Sequence, residues 1–285
     1  MSRNKKGSSR AKQAQVYAGC NRSERRGQKA KSLREGGSKS EKGMKLLAED
    51  EVTQNEDYNL DWFKPSEGQQ DIVYSMCSDQ LTMVQGGSGC GKSTAAIWQG
   101  LKDLKDGRIK QLVFMKTPSS DGDDEIGFLS GSEDEKLSAH MLAMKSIFET
   151  FMSKQKLEAE IKSGRIKFTI PNFEAGRTFY KSLIIFDESH KCSESTIKLI
   201  VERLADSSRI ILLGDKGQRY STKYRNDGFS SFVRMTTEID EDDYRVSSEP
   251  LMGYVELTSK DNMRGVLSKR IGELYEAKED RENED

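Results

Sequence analysis

The stretch LTMVQ-GGSGCGKS-TAAIWQG, residues 81–100, decides the fold of this chain. A short apolar run, residues 81–85, precedes the glycine-rich segment 86–93, and a helix-forming run follows it. In this context the pattern G-x-x-x-x-G-K-[ST] predicts a phosphate-binding loop between a strand and a helix. The glycines let successive backbone N–H groups point at one anion, and the helix adds the positive end of its dipole.

Side chains of this loop are expected to complete an ATP site. Lys92 is predicted to contact the β- and γ-phosphates, and the Ser93 hydroxyl to bind Mg²⁺. Cys90 is interpreted as a small residue that fills space. The residues predicted to bind the nucleotide are Gly86, Gly87, Ser88, Gly89, Cys90, Gly91, Lys92, Ser93 and Thr94.

A second motif follows the apolar run 182–186, which ends in Asp187 and Glu188. The run is continuous rather than alternating, as in a central strand of a parallel sheet, and ligands bind beyond the carboxyl ends of such strands. We therefore expect Asp187 to hold Mg²⁺ through water and Glu188 to orient and polarise the attacking water. His190 is either a hydrogen-bonded surface residue or a link between the nucleotide site and a second ligand.

A third apolar run, residues 209–213, is followed by Gly214-Asp215, with Gln218 three residues later. Gln218 is predicted to hydrogen-bond the γ-phosphate and to report its hydrolysis. Ordinary turn chemistry is the alternative for this segment.

Strand-like and helix-like stretches alternate, which predicts an α/β fold with a mainly parallel sheet and helices on both faces. Helix-like stretches follow Ser93 and begin at Glu133, Ser195 and Gly265. The strand-like runs are 81–85, 111–115, 166–170, 182–186, 209–213 and 254–257.

Charge is distributed unevenly along the 285 residues, which carry 46 Lys and Arg against 47 Asp and Glu. Residues 1–45 hold 14 Lys and Arg and three Glu, with few residues to bury. This segment is predicted to be a disordered arm, which either contacts nucleic acid or is a solvated tail. The expected division is a basic arm and acidic linker at 1–64, an ATPase domain at 65–278 and an acidic tail at 279–285.

Several classes of protein are excluded by composition. No apolar run of about 18 residues is present, and the N-terminus has no apolar stretch of a secretory signal, so a cytoplasmic protein with no membrane partner is expected. The four cysteines are scattered and the chain has two histidines, which argues against a disulfide framework or a zinc site.

Beyond these motifs, residues 65–278 resemble the PhoH-like family. The resemblance lies in EIGFLSGSEDEKLSAHM (125–141), NFEAGRTFYKSLIIFDESHK (172–191), ILLGDKGQ (211–218) and DNMRGVLSKRIGELYE (261–276). It implies a three-layer, RecA-like P-loop NTPase core, close to that of superfamily 1 helicases, which binds and hydrolyses ATP. Short, highly charged members of this kind are common in bacteriophages, so the resemblance also implies a phage origin and a location in the host cytoplasm.

The resemblance further implies that Gln69 reads the adenine edge, which an amide can do by donating and accepting at once. The chain departs from the family pattern at Ser130, where Pro is common, and in DESH in place of DEAQ. It also has Lys116 where Arg is frequent, which loses the bidentate geometry of a phosphate clamp. The 64 residues before the core are too few and too basic for the ribonuclease domain that some relatives carry.

ATP hydrolysis commonly uses an arginine to stabilise charge on the transferred phosphoryl group. The core is long enough for one RecA-like domain, so this arginine is expected from a neighbouring subunit in a homo-oligomeric ring, a hexamer being one option. Arg264 and Arg177 are the candidates, and a structural salt bridge is the alternative for each. Turnover is then expected to rise with protein concentration.

Two functions follow from these motifs. The first is a helicase-like ATPase that acts on single-stranded RNA or DNA. The alternative is a nucleotide-dependent switch that binds a protein partner and uses hydrolysis as a timer. A P-loop kinase is less favoured, because Glu188 and the polar end of the third strand suit water as the nucleophile.

Overall fold

A six-stranded, wholly parallel sheet lies at the centre of the computed structural model, which describes residues 58–117, 144–174, 176–215 and 227–284. The order of its strands is β3-β2-β4-β5-β1-β8, and β6 and β7 form a separate antiparallel pair. The strands are β1 (Leu81–Gln85), β2 (Gln111–Lys116), β3 (Ile166–Thr169), β4 (Ser182–Asp187), β5 (Arg209–Gly214), β6 (Thr237–Ile239), β7 (Arg245–Ser247) and β8 (Met252–Glu256).

Helices cover both faces of the sheet. They are α1 (Glu67–Ser78), α2 (Lys92–Lys105), α3 (Lys154–Lys162), α4 (Glu194–Val201), α5 (Gly228–Thr236) and α6 (Val266–Glu284), with short 3₁₀ turns at Pro171–Glu174, Ser189–Lys191 and Ser259–Asp261. In the described part of the chain, no helix has the length and apolar character needed to cross a bilayer.

The central strands are buried on both sides, which explains their continuous apolar sequences. Every residue of β1 and β4 is buried. In β4, Leu183 and Ile185 contribute to the core beneath α1 and α2, while Ile184 and Phe186 contribute to the core beneath α4 and α5. The result is the predicted three-layer α/β fold.

Strand order positions the site. Strand β5 pairs with β1 on one side and with β4 on the other. The segments that follow β1, β4 and β5 therefore leave the same edge of the sheet, as expected for a ligand site of an open parallel sheet. Strand β8 pairs with the free side of β1, so the segment after β8 also reaches this edge.

Described structure extends beyond two of the expected boundaries. Tyr58 and Phe63 are buried, and the Asn59 N–H donates to the Phe151 carbonyl at 2.7 Å. The fold therefore includes residues 58–64, because their aromatic side chains fill the core beside α2. At the other end, residues 279–284 continue helix α6 and are not a separate tail.

Some elements were not predicted from the sequence. Helices α1, α3 and α5 are short, and their apolar positions are mixed with polar ones. The acidic stretch 238–243 begins inside β6. The helix predicted from Glu133 lies mostly outside the described residues, and residues 144–148 are helical.

A buried carboxylate in helix α2 is predicted to contribute to stability. Asp103 is fully buried and accepts hydrogen bonds from Gln99 at 2.7 Å, from Arg108 at 2.9 Å and from Arg209. We expect Asp103→Asn to lower the free energy of unfolding in urea by about 3 kcal/mol, because Arg209 loses its buried partner charge. The matched control is Asp106→Asn, which removes an exposed partner of Arg108 and should cost less than about 1 kcal/mol. Equal losses in both variants would contradict this account.

Candidate nucleotide-binding site

The loop after β1 has the curved backbone that the glycines predicted. The Gly86 N–H donates to the Gly214 carbonyl at 3.2 Å, which fixes the start of the loop against β5. Gly89 and Gly91 have φ angles of +88° and +72°, a region that residues with a Cβ rarely adopt. Helix α2 begins directly after Gly91.

Five consecutive carbonyl groups of the loop accept hydrogen bonds from the protein. The Lys92 ammonium donates to the first two, Gly86 at 2.5 Å and Gly87 at 2.8 Å. Donors to the other three are Asn262 Nδ2 to Ser88 at 3.1 Å, Met263 N to Gly89 at 3.0 Å and Gln69 Nε2 to Cys90 at 3.0 Å. The carbonyls of Ser88, Gly89 and Cys90 are thus held by donors from other segments of the chain, whereas those of Gly86 and Gly87 are held by Lys92, which lines the cavity itself.

The segment that follows β8 holds the loop from one side. Asn262 Oδ1 accepts the Arg264 N–H at 3.0 Å, and Arg264 Nη1 donates to the Ser88 hydroxyl at 3.1 Å. Arg264 therefore lies on the phosphate loop of its own chain, whereas the sequence led us to expect an arginine from a neighbouring subunit. The reason is the place of β8 beside β1, which short motifs do not reveal.

Gln69 supports the loop from the other side. Its side chain caps helix α1 by accepting the Ser66 N–H at 3.0 Å, and its Nε2 donates to the Cys90 carbonyl. It is almost fully buried, yet it lines the same cavity as Lys92. Its predicted contact with adenine stays a prediction. Cys90 is buried and directs its thiol at the Thr258 carbonyl, 3.4 Å away.

Ser93 and Asp187, the two residues predicted to hold Mg²⁺, are in contact. Ser93 Oγ donates to Asp187 Oδ1 at 3.1 Å, which joins the first turn of α2 to the end of β4. Burial raises the pKa of Asp187, with nearby Lys116 opposing the shift. A hydroxyl and one carboxylate fit Mg²⁺, which takes few protein ligands and completes its shell with phosphate oxygens and water. No cluster of three His, Cys, Asp or Glu residues suited to a metal occurs among the described residues.

The environment of Glu188 differs from that of Asp187. Its backbone is in the left-handed region, φ 55°, an uncommon conformation for a residue with a side chain. Its carboxylate lies 3.2 Å from Lys191 Nζ and 3.7 Å from Lys116 Nζ. Burial alone would raise the pKa of Glu188, but these cations outweigh it and lower the pKa, so the carboxylate is charged at neutral pH.

His190 is buried, so its interpretation as a surface residue was wrong. Its Nδ1 accepts the Asp215 N–H at 3.1 Å, and its Nε2 lies 3.4 Å from Glu188. Burial lowers the pKa of His190, and the neutral ring must carry its proton on Nε2, facing the carboxylate. His190 thus joins the end of β4 to the end of β5.

These groups line one cavity of about 630 Å³. Its wall also contains Trp62, which the sequence analysis had assigned to a linker. Trp62 is 48% exposed, stacks on Phe151 with ring centres 5.2 Å apart, and donates its indole N–H to the Thr150 carbonyl. The signal that could have identified it is the aromatic pair at 62–63, just before the helix-capping sequence SEGQ. Predicted site residues in this wall are Gln69, Ser88, Gly89, Gly91, Lys92, Ser93, Thr94, Asp187, Glu188 and Arg264.

The other residues singled out in the sequence differ in position. Arg177 lies near the opposite edge of the sheet, where its guanidinium donates to Gln111 Oε1 at 3.4 Å. Gln218 lies outside the described residues, as does Ser130. Lys116 lines the cavity, although it pairs with Glu188.

Comparisons with known proteins agree with the resemblance seen in the sequence. A family model for "PhoH-like protein" matches residues 64–276. The PhoH-like protein of Bacillus subtilis is 25% identical over 209 residues, which are 73% of this chain and 62% of that protein. Protein PhoH2 of Mycolicibacterium smegmatis is 24% identical over 198 residues, 69% of this chain and 43% of that protein. The chain therefore spans between 43% and 62% of these relatives' lengths.

Two solved structures align with part of this chain. The Hef helicase domain of Pyrococcus furiosus aligns with 72% of this chain and 40% of its own length, at a TM-score of 0.43 and 13% identity. The large terminase of a thermophilic bacteriophage aligns with 72% of this chain and 48% of its own length, at a TM-score of 0.41 and 13% identity.

The conformation of the loop can be tested with two alanine variants. A Cβ at Gly89 would lie 3.0 Å from Asn262 Oδ1 and 3.1 Å from Arg264 Cδ, at a positive φ, whereas a Cβ at Gly87 would meet nothing within 4 Å. We expect Gly89→Ala to lower the free energy of unfolding, measured in urea without nucleotide, by about 1–2 kcal/mol. The control Gly87→Ala should change it by less than about 1 kcal/mol. A Gly89→Ala protein as stable as Gly87→Ala would contradict the described loop.

Proposed function

The chain belongs to the PhoH-like protein family, and from this premise we propose that it binds ATP with Mg²⁺ and hydrolyses it while acting on single-stranded nucleic acid. The observation that carries the proposal is the meeting of Lys92, Ser93, Asp187, Glu188 and Arg264 in one cavity. These are an anion-binding ammonium, a pair of Mg²⁺ ligands, a charged carboxylate and a guanidinium. Together they match the requirements of phosphoryl transfer to water.

The triphosphate is assigned to the loop and the adenosine to the part of the cavity near Trp62. Backbone N–H groups of the loop and the start of α2 form an anion site, to which Lys92 adds a full charge. At the other end, Trp62 offers an exposed ring face and Gln69 an amide. Ser93 and Asp187 would hold Mg²⁺, which neutralises phosphate charge when bound.

Glu188 is assigned to the attacking water. Its lowered pKa keeps it charged, so it can accept a hydrogen bond from water and polarise it. Its left-handed backbone is held by the Lys191 N–H, which donates to the Glu188 carbonyl at 3.0 Å. His190 contacts both the Glu188 carboxylate and the Asp215 N–H. A movement of Glu188 would therefore be transmitted through His190 to the segment after β5. Gln218 follows in that segment, and its role as a γ-phosphate sensor is part of the proposal.

Arg264 is assigned to the charge that develops during hydrolysis, and it acts within its own chain. Its guanidinium is already bound to Ser88 of the loop, and Asn262 fixes its backbone. Arg177 lies too far along the sheet to reach the nucleotide of its own chain. Hydrolysis in this arrangement does not need a second subunit, unlike the mechanism expected from the sequence.

Nucleic acid is favoured as the partner because residues 1–45 carry 14 Lys and Arg against three Glu.

A switch that binds a protein partner is the second candidate function, and the surface of helix α6 favours it. Leu267, Ile271 and Leu274 lie one turn apart on α6 and are exposed. Asn262 Nδ2 also donates to Ser268 Oγ at 3.1 Å, so α6 is bound to the residue that holds the phosphate loop. A homo-oligomer, including a ring, would use this exposed side of α6. The phage origin and the cytoplasmic location stay predictions.

Two substitutions test the chemistry. We expect Lys92→Ala to weaken ATP binding at least tenfold, because the loop loses its full positive charge. Glu188→Gln should bind ATP as the wild type does but turn over at least 100-fold more slowly, because the amide polarises water poorly. Binding of a fluorescent ATP analogue and release of phosphate, with and without a single-stranded oligonucleotide, measure the two effects. Equal turnover in all three proteins would end the ATPase proposal, and turnover unaffected by any strand would favour the switch.

Mixing variants tests whether Arg264 acts within its own chain. Arg264→Ala should lower turnover about 10³-fold. A mixture of Arg264→Ala and Lys92→Ala proteins should show no recovery, because no subunit then holds a complete site. Recovery of activity on mixing, or a wild-type specific activity that rises with protein concentration, would instead place the arginine in a neighbouring subunit.

A further inference from the structure

A second cavity lies at the edge of the sheet opposite the nucleotide site. It has a volume of about 280 Å³, and its wall includes Lys110, Gln111, Arg177, Tyr180 and Ser182. Gln111 and Ser182 are the first residues of β2 and β4 and pair with each other. We call this cavity the amino-edge pocket, because it lies where these parallel strands begin.

Positive charge at the amino-edge pocket is not neutralised by the described protein. Lys110, Arg177 and Lys181 are all exposed, and the Lys110 N–H donates to the Lys181 carbonyl at 2.7 Å. Within the described ranges, none of the three lies within 4 Å of a carboxylate. The one described hydrogen bond of the Arg177 guanidinium is to an amide oxygen, Gln111 Oε1. The pocket therefore offers cations to an external anion.

An exposed aromatic ring stands among these cations on a fixed backbone. Tyr180 is 68% exposed, although Phe179 and Ser182 on either side are buried. The Phe179 N–H donates to the Arg203 carbonyl at 2.9 Å, and the Phe179 carbonyl accepts the Ala205 N–H at 3.0 Å. Ser182 Oγ donates to the Tyr180 carbonyl at 2.9 Å. The ring is thus presented to solvent by a main chain that is held on both sides.

We propose that the amino-edge pocket binds single-stranded nucleic acid, with Arg177 and Lys110 contacting backbone phosphates and Tyr180 stacking on a base. An exposed ring beside unpaired cations is the combination that binds single strands without sequence preference, because every base has a flat face and every linkage a charge. This inference names the contact surface for the strand in the function proposed above, and it rests on that proposal.

The position of the pocket suits a strand that binds together with ATP. The nucleotide cavity lies beyond the carboxyl ends of the strands and the amino-edge pocket at their beginnings, so the two ligands do not compete for space. Strand β4 runs between them, from Ser182 to Asp187. Arg177 is too far from the nucleotide of its own chain to contact it, and in this proposal it contacts a phosphate of the bound strand instead.

Binding of labelled oligo(dT) and oligo(U) to the full chain, measured by fluorescence anisotropy without nucleotide, tests the assignment. We expect Arg177→Ala/Tyr180→Ala to bind about tenfold more weakly than the wild type. Tyr180→Phe should retain affinity because it keeps the ring. Arg177→Ala alone should reduce by about one the slope of log affinity against log salt. The matched control is Arg234→Ala/Tyr244→Ala, which removes another exposed arginine and an exposed tyrosine, outside the amino-edge pocket.

The outcomes separate this inference from the proposed function. A double variant that binds like the wild type, or a control that loses as much affinity, overturns the inference even if ATP hydrolysis is confirmed. Loss of binding for Arg177→Ala with none for Tyr180→Ala also overturns it, since the pocket would then be a simple anion site to which inorganic phosphate should bind equally well. A wild type that binds strands through the pocket but does not hydrolyse ATP would instead refute the proposed function.

Discussion

The site depends on a constraint of the peptide group: a loop can present several N–H groups to one anion only if its carbonyls are satisfied elsewhere. Here Lys92 and two separate segments supply the donors, with Gln69 on one side and Asn262 with Met263 on the other. Gly86 and Cys90 are buried, and an unsatisfied buried carbonyl costs about 1–3 kcal/mol, so the bonds from Lys92 and Gln69 to these two carbonyls stabilise the loop. Residues far apart in sequence thus hold the anion site in shape through direct hydrogen bonds.

The order of the strands sets the distance between the phosphate loop and the two carboxylates. Because β5 lies between β1 and β4, the loop after β1 and the carboxylates after β4 are two strand spacings apart, about 10 Å. In the proposed mechanism, the phosphoryl group and the attacking water would lie in this gap, between Lys92 and Glu188. The first turn of α2 crosses part of it, which is how Ser93 reaches Asp187 at 3.1 Å. Neighbouring strands would bring the carboxylates too close for this arrangement.

Local features of the site could be predicted from the sequence, and its long-range features could not. The loop, the order of strands along the chain and the position of Asp187 at the end of β4 follow from patterns within about ten residues. By contrast, Asn262 and Ser88 are separated by 174 residues. Only the pairing of β8 with β1 brings them together, and strand neighbours are not encoded in any short motif. The same limit explains why Arg264 was expected in a neighbouring subunit and Trp62 in a linker.

The pKa values of the adjacent carboxylates Asp187 and Glu188 are shifted in opposite directions because of where β4 ends. Asp187 is still inside the buried strand, so its pKa is raised by loss of solvent. One residue later the chain turns through a left-handed conformation and places Glu188 among Lys116 and Lys191, which lower its pKa. The turn at Glu188 thus places two adjacent carboxylates in different electrostatic environments, which the proposed mechanism would use for a Mg²⁺ ligand and for a charged group beside the attacking water.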